Sequence, residues 1–191
     1  MSEKNIKERL EERLDELGAR LGAEDFRAGE GLMNEANIRI FAYDPVDEMA
    51  VRYFVKLVNE DAGKYKGVKT FNLFDVFLDI CDEYASVTDI IEEEKYSGSE
   101  SVLEAIQGFA DNKAFVQKML EQGMNDAEVI ILYGVGEVYP IARLHLILSA
   151  IQPVRLQKPV VVLYPGEFTG EQVRLFNKLT PSSYYRATAN L

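Results

Sequence analysis

The sequence predicts a three-layer α/β domain with a mainly parallel sheet of four or five strands. Two largely apolar runs, Glu128–Tyr133 and Val160–Tyr164, are separated by one helical segment. Such runs are typical of parallel strands that are buried on both faces. A third apolar run, Ile38–Tyr43, is followed by another amphipathic helix. Strands that alternate with helices in this way favour helical layers on both faces of one sheet.

Size and composition indicate that residues 1–191 form one globular domain. The chain is 47% hydrophobic and 28% charged, and a domain of this size buries roughly 70% of its unfolded surface. Its single cysteine, Cys81, excludes an internal disulfide and a cysteine-rich metal cluster. The charged N-terminus and the lack of an apolar run of ~18 residues predict neither signal peptide nor membrane span, so we expect a cytoplasmic protein.

The net charge of −11 indicates which kinds of partner the chain can bind. Proteins that bind duplex DNA directly neutralise phosphates with lysine and arginine, which this acidic chain would do poorly. We therefore expect no direct contact with nucleic acid. The acidity either serves solubility or favours docking onto a basic partner.

Residues 1–22 predict a helical N-terminal arm. Its apolar residues recur at spacings of four, four, three and four, with charged residues on the other faces: Ile6, Leu10, Leu14, Leu17 and Leu21. A narrow stripe of this kind is typical of a helix that docks on its own domain or on another chain. We expect the leucine stripe to bind a partner or a second copy, which would give a homodimer in the latter case.

The next elements follow from caps and periodicity. A loop is predicted at 22–35, and the strand Ile38–Tyr43 ends at Asp44–Pro45, which should cap a helix to about Val58. A second, shorter strand is predicted at Lys66–Asn72. The larger apolar residues of the helix share one face: Val46, Met49, Ala50, Tyr53, Phe54 and Leu57.

Residues 73–123 predict a helical insertion between the second and third strands. The segment Tyr96–Glu100 predicts a break between two helices. Ser101 and Glu104 have the spacing of a capping box at the start of the next helix, and Asp111 is expected to cap a further helix. The first helix has an apolar stripe of Phe74, Phe77, Leu78 and Cys81 opposite four carboxylates, Asp75, Asp79, Asp82 and Glu83. We interpret these carboxylates as a solvated face, the alternative being a metal site.

Two elements are predicted after the strand Val160–Tyr164. The segment Phe168–Val173 has the pattern of a hydrophobic staple around a capping box, which would start a helix that ends at Lys178. Tyr184–Thr188 would add a final edge strand.

The turn after the third strand resembles a dinucleotide fingerprint only in part. Gly134-Val-Gly136 matches its opening, but Tyr139 stands at the third glycine position and Glu137 would meet a pyrophosphate. A tight turn that lets Pro140 take the first helical position suits these residues better. Nucleotide binding remains the alternative.

Other catalytic patterns are incomplete. The sequence has neither a phosphate-binding Gly-x-x-x-x-Gly-Lys-Ser/Thr loop nor a Gly-x-Ser-x-Gly elbow, and His145 is its only histidine. Glu93-Glu94-Lys95 has the acid-x-lysine form of some nucleases, with Asp44 or Asp47 as a further acid, but a solvated face at a helix end is the ordinary explanation for such a charge run. We therefore predict no catalytic site, metal or cofactor.

A set of segments spread over most of the chain forms a recognisable pattern: Gly29–Glu35, Ile40–Pro45, Gly134–Pro140, Arg143 with His145, Gln152, Tyr164–Glu167, Leu175–Phe176 and Tyr184–Arg186. Together these segments are similar to the BrxB family of BREX phage-defence systems. The resemblance implies a bacterial cytoplasmic subunit of a complex that modifies host DNA and blocks phage replication. It also implies two neighbours, a PglZ-like protein of phosphatase fold and a PglX-like DNA methyltransferase.

Two classes of function follow. In the first, a non-catalytic adaptor docks partner subunits through its strand-end loops. In the second, the same crevice binds a nucleotide or small molecule, with Arg143 as the anion contact. A structural role, in which Arg143 ties its helix to the sheet edge or to Glu167, is the alternative for that residue. The candidate docking residues are Asp44, Pro45, Gly134, Gly136, Glu137, Tyr139, Pro140, Arg143, Pro165, Gly166 and Glu167.

Overall fold

The computed structural model describes residues 3–27, 37–154, 158–169, 172–180, 182–183 and 189–190. The helices are α1 (Glu3–Gly22), α2 (Glu24–Arg27), α3 (Glu48–Glu60), α4 (Leu73–Cys81), α5 (Val87–Ser97), α6 (Ser99–Phe109), α7 (Asn112–Glu121), α8 (Val135–Val138) and α9 (Leu144–Ile151). The strands are β1 (Ile38–Tyr43), β2 (Val68–Asn72), β3 (Val129–Tyr133), β4 (Val160–Phe168), β5 (Gln172–Leu175), β6 (Ser182–Ser183) and β7 (Ala189–Asn190).

The sheet has the strand order β2-β3-β4-β1-β7, and all neighbours along this path are parallel. Strands β5 and β6 extend the end of β4 in antiparallel pairing. The predicted α/β class with a mainly parallel sheet of four or five strands is therefore confirmed.

Alternating side chains of the central strands feed two separate apolar clusters, one on each face of the sheet. In β3, Ile130 and Leu132 point to one face, whereas Val129 and Ile131 point to the other. The first face is covered by α4, α6, α7 and α9, and the second by α1 and α3. This two-sided burial explains why β3 and the first five residues of β4 are apolar at every position, and it gives the three predicted layers.

The N-terminal arm belongs to the core of this chain, which corrects the expectation that its stripe binds a partner. Leu10, Leu14, Leu17 and Leu21 are buried against the sheet and α3, beside Phe41 and Phe54. Without α1, the second face of the sheet would lose much of its cover, which explains why the stripe is used internally. The side chain of Ile6 lies outside the described residues.

Helix α3 turns the predicted apolar face outward. It packs on the sheet through Val51, Phe54, Val55 and Val58. The remaining members of the predicted face, Val46, Met49, Ala50, Tyr53 and Leu57, are exposed. The sequence was ambiguous because the helix carries apolar residues on both sides. Asp44 caps the 3-10 turn Pro45–Asp47 that leads into α3, since its Oδ1 accepts a hydrogen bond from the Val46 N–H at 3.1 Å, whereas α3 itself has no side-chain cap.

The helical segment between β2 and β3 is only partly an insertion. Helices α4 and α7 contribute Phe77, Phe115 and Met119 to the main core, whereas α5 has no buried residue. Asp111 caps α7 as predicted, because its Oδ1 accepts from the N–H groups of Lys113 and Ala114.

The predicted capping box at Ser101 and Glu104 is wrong. Helix α6 already begins at Ser99, after Gly98 with φ of 84°. Ser101 therefore lies within the first turn. The structure places a capping box at Ser86 and Asp89 instead, where α5 begins.

The predicted helix from Phe168 to Lys178 is also wrong, because the segment forms a hairpin between β4 and β5. Val173 and Leu175 are buried while Gln172 and Arg174 are exposed. This alternation has the period of a strand, and in a helix the two apolar residues would face apart. The predicted contact at Thr169 exists, but it closes the hairpin: the Gln172 N–H lies 3.3 Å from the Thr169 hydroxyl.

Three further segments were singled out in the sequence, and the structure describes only part of one of them. The loop predicted at 22–35 contains the short helix α2. The Gly29–Glu35 motif and the strand predicted at Tyr184–Thr188 lie outside the described residues. Among the described residues, no helix combines the length and apolar character that a membrane crossing requires.

Candidate docking surface at the strand ends

The structure brings two of the predicted loops, 44–45 and 134–140, to one edge of the sheet. Residues 165–167, predicted as a third loop, lie within β4 instead, and Pro165 and Gly166 are buried there. Because β1, β3 and β4 are parallel, their carboxyl ends meet there, and Tyr43 lies in register with Pro165. Asp44 follows β1, Gly134 follows β3, and Glu167 lies near the end of β4.

Gly134 makes a turn that only glycine fits. Its φ is 74°, in the left-handed region, and a Cβ atom here would lie 2.2 Å from Asn72 Oδ1. That same oxygen accepts from the Phe74 N–H at 2.9 Å and caps α4. The glycine therefore lets the end of β3 pack directly on the cap that follows β2.

Gly136 admits an aromatic ring. A Cβ on Gly136 would lie 2.6 Å from the ring of Phe176, and the Phe176 N–H donates to the Pro165 carbonyl at 2.8 Å. Both glycines of the partial fingerprint thus give room to side chains of this chain, Asn72 and Phe176.

Glu137 joins the loop after β3 to α3. Arg52 donates hydrogen bonds to both Glu137 and Glu48, the latter at 2.9 Å, and the Tyr43 hydroxyl donates to Glu48 at 2.5 Å. Burial lowers the pKa of Arg52, but the bonds to the two carboxylates outweigh it, so the pKa is raised. Burial and the bond to Glu48 raise the pKa of Tyr43. The network therefore holds one arginine charge between two carboxylates.

Tyr139, Pro140 and Arg143 are exposed on the segment that follows Glu137. The Tyr139–Pro140 peptide bond is cis. Pro140 does not open the following helix as predicted, because α9 begins only at Leu144. The intervening segment is held from α6, where the Gln107 amide donates to the carbonyl oxygens of Pro140 and Ile141 at 3.3 and 3.4 Å.

Arg143 is not tied to Glu167. Glu167 pairs with Arg174 across the hairpin at 3.7 Å, and Arg143 forms no ion pair with any residue that the structure describes. His145 is half-buried, and burial together with the nearby Arg143 charge lowers its pKa. Arg143 thus presents its charge at the surface.

The acidic groups noted in the sequence lie elsewhere. Asp75, Asp79, Asp82 and Glu83 are exposed on α4 and the turn after it, as predicted for a solvated face. The tripeptide Glu93-Glu94-Lys95 is exposed on α5, which lies on the opposite side of the sheet from Asp47. These groups therefore do not form one site. Within the described ranges, no group of three histidine, cysteine or acidic residues is placed to hold a metal ion.

Two open depressions adjoin the edge strand β2, with volumes of about 400 and 530 Å³. Asn72, Asp75 and Tyr133 line both, and Arg52 and Lys56 of α3 border the larger one. The smaller depression runs along β2 from Val68 to Asn72, and the larger one opens at the ends of β2 and β3. The sequence singled out neither.

Arg52 and Phe176 are two of the residues at this edge that the sequence did not indicate as site residues. Arg52 stood in an ordinary amphipathic helix, and its link to Glu137 spans 85 positions of the chain. Phe176 belonged to a recognised motif, but the incorrect helix hid its approach to Gly136.

Comparison with known proteins gives one consistent result. A family model described as "BREX protein BrxB" matches residues 69–189. The BREX protein BrxB of Bacillus cereus (strain H3081.97) is 32% identical over 186 residues, with 94% of this chain and 96% of the relative covered. The BREX protein BrxB of Escherichia coli O9:H4 (strain HS) is 27% identical over 181 residues, with 93% and 90% covered. No solved structure matched. The chain belongs to the BrxB family of BREX proteins.

Proposed function

We propose that this chain is a non-catalytic, cytoplasmic adaptor of a BREX phage-defence complex. It docks other BREX subunits, such as a PglZ-like protein of phosphatase fold or a PglX-like DNA methyltransferase, through the loops at the carboxyl ends of its strands. Because the chain is acidic, it contacts DNA only through other subunits.

The observation that carries the proposal is how the residues at this edge are used. Glu137 and Phe176 are partly exposed and occupy the space next to the glycine turn, where the partial fingerprint would place a phosphate. At the rim, Tyr139 and Arg143 are exposed on the next segment, which is held by the Gln107 hydrogen bonds. Tyrosine and arginine are frequent anchors of protein interfaces.

The nucleotide-binding alternative needs this space to open. A phosphate would have to displace Phe176 from Gly136 and would meet the carboxylate of Glu137. Its predicted anion contact, Arg143, does not line either open depression. A rise in melting temperature with ATP, GTP or a dinucleotide would favour this alternative over the adaptor.

The proposal predicts that two substitutions at the rim weaken partner binding without unfolding the protein. Tyr139→Ala and Arg143→Ala each remove an exposed anchor, at an expected cost of about 1–3 kcal/mol of binding, or a loss of up to roughly a hundredfold. Affinity for each purified BREX subunit is measured by titration, and stability is followed by thermal melting.

Matched controls separate this surface from the rest of the molecule. Tyr96→Ala changes a tyrosine on α5 that is 92% exposed, and Arg9→Ala changes an exposed arginine on α1. Both controls should bind as the unsubstituted protein does. Equal affinity for all four variants, or affinity lost only together with melting temperature, would contradict the proposal.

A further inference from the structure

A contiguous apolar stripe runs along the outer face of α3. Val46, Met49, Tyr53 and Leu57 recur at spacings of three, four and four, and are 84%, 76%, 60% and 41% exposed. Val46 stands in the 3-10 turn that leads into α3, so the stripe begins at the carboxyl end of β1. Single exposed apolar residues are ordinary, but a continuous row on one helix indicates an interaction surface.

The core of the protein does not use this stripe. At 100° per residue, Met49, Tyr53 and Leu57 fall on the opposite side of α3 from Val51, Val55 and Val58, which are buried against the sheet. The spacing of three and four is the one by which a helix contacts another helix. The stripe is therefore a second apolar face, and its period fits a helical partner.

Acidic side chains stand at the beginning of the stripe. Asp44 and Asp47 lie there, and neither forms an ion pair with any residue that the structure describes. At the far end, Glu60 contacts Lys56 at 3.7 Å, and the pKa of Lys64 is raised by Tyr65 and, to a lesser extent, by the charge of Asp61. The two lysines balance the two carboxylates there, so the negative charge of the stripe lies at its beginning.

This charge pattern favours a basic occupant over a second copy. A second copy paired in parallel along α3 would bring Asp44 and Asp47 of the two chains together, and like charges placed opposite one another at an interface are unfavourable. In any orientation, the net charge of −11 opposes self-association. A partner with basic residues at the end that faces Asp44 and Asp47 would instead be attracted.

We propose that the α3 stripe, Val46, Met49, Tyr53 and Leu57, binds an amphipathic helix of another BREX subunit, with lysine or arginine at the end of that helix that lies against Asp44 and Asp47. The choice of a BREX subunit rests on the proposed adaptor function. The stripe adjoins the strand-end loops, because Arg52 of α3 is paired with Glu137. One partner can therefore contact both surfaces.

The test uses substitutions on α3 and the complete set of BREX subunits. Tyr53→Ala and Leu57→Ala should each lower the affinity for the bound subunit at least tenfold, with an unchanged melting temperature. Tyr96→Ala and Ile91→Ala are the controls on α5, where Ile91 is 47% exposed. These controls should bind normally.

A second pair of variants tests the charges without changing side-chain shape. Asp47→Asn removes an acidic group at the beginning of the stripe, and Glu92→Gln removes one on α5. Only the first variant should weaken binding, and the difference should shrink in high salt because exposed charges are then screened.

The outcomes separate this inference from the adaptor function. If the rim variants at Tyr139 and Arg143 weaken binding and the α3 variants do not, the inference is wrong and the adaptor function stands. If the chain alone sediments as a dimer that Tyr53→Ala dissociates, the occupant is a second copy and the inference is also wrong. If no BREX subunit binds the unsubstituted chain, the adaptor function and the inference fail together. Loss of binding confined to the α3 variants supports the inference and shifts the docking surface away from the loops.

Discussion

At the scale of single residues, the strand-end edge depends on glycines placed for close packing. Gly134 combines a positive φ with the short approach to Asn72, so a methyl group there would strain the backbone and press on the cap of α4. The sequence indicated a tight turn here, but not its packing partner. Neither Asn72 nor Phe176 could be assigned to the glycines from the sequence, because these contacts join distant parts of the chain.

Gly134→Ala should lower the free energy of unfolding by about 1–3 kcal/mol. Urea denaturation measures the loss. Gly108→Ala is the control, since Gly108 lies in α6, where a Cβ would meet open space. That control should be neutral or stabilising by up to about 1 kcal/mol. Equal effects of the two substitutions would show that the turn tolerates a side chain and that the described packing is wrong.

At the scale of helices and strands, capping residues and the spacing of apolar residues predicted some element boundaries well and others poorly. The caps at Asp44 and Asp111 were predicted correctly, because an acidic residue before an apolar helical pattern has one straightforward structural role. Helix α3 was assigned the wrong buried face since both of its faces are apolar. The sequence predicts a helix where the β4–β5 hairpin forms, because Thr169 and Gln172 have the spacing of a helix cap. The alternation of the apolar residues Val173 and Leu175 is the weaker signal for a strand.

Helix α1 gives an element-scale prediction. Leu17 is only 2% exposed and packs in the cluster of Phe41 and Val51. Leu17→Ala should therefore cost about 2–5 kcal/mol of stability in urea denaturation. Glu12→Ala, an exposed position of the same helix, should change stability by no more than about 0.5 kcal/mol.

Deletion of residues 1–22 should leave an unfolded chain. It would remove a buried row of leucines, each worth about 1.5–3 kcal/mol, and expose the sheet face beneath them, against a typical domain stability of about 5–15 kcal/mol. A truncated protein that melts like the full chain and loses only partner binding would restore the idea of an external docking arm.

At the scale of the whole molecule, the fold class and the common edge of the loops were predictable. Parallel strands that are buried on both faces leave a strong apolar signature, and their carboxyl ends must meet. The docking stripe on α3 was not predictable, because the sequence does not say which apolar face of a helix the core will use. The final architecture places that stripe, the Arg52–Glu137 link and the exposed rim at Tyr139 next to each other.

Hydrogen–deuterium exchange of this chain, alone and in complex with the BREX subunit that it binds, tests the central claim most directly. We predict slower exchange on binding in the segments 43–61 and 134–145, and unchanged exchange in α5 and α6. Protection that is confined to α5 and α6, or a complex that forms without protecting either predicted segment, would contradict the claim that the carboxyl-end face is the docking surface.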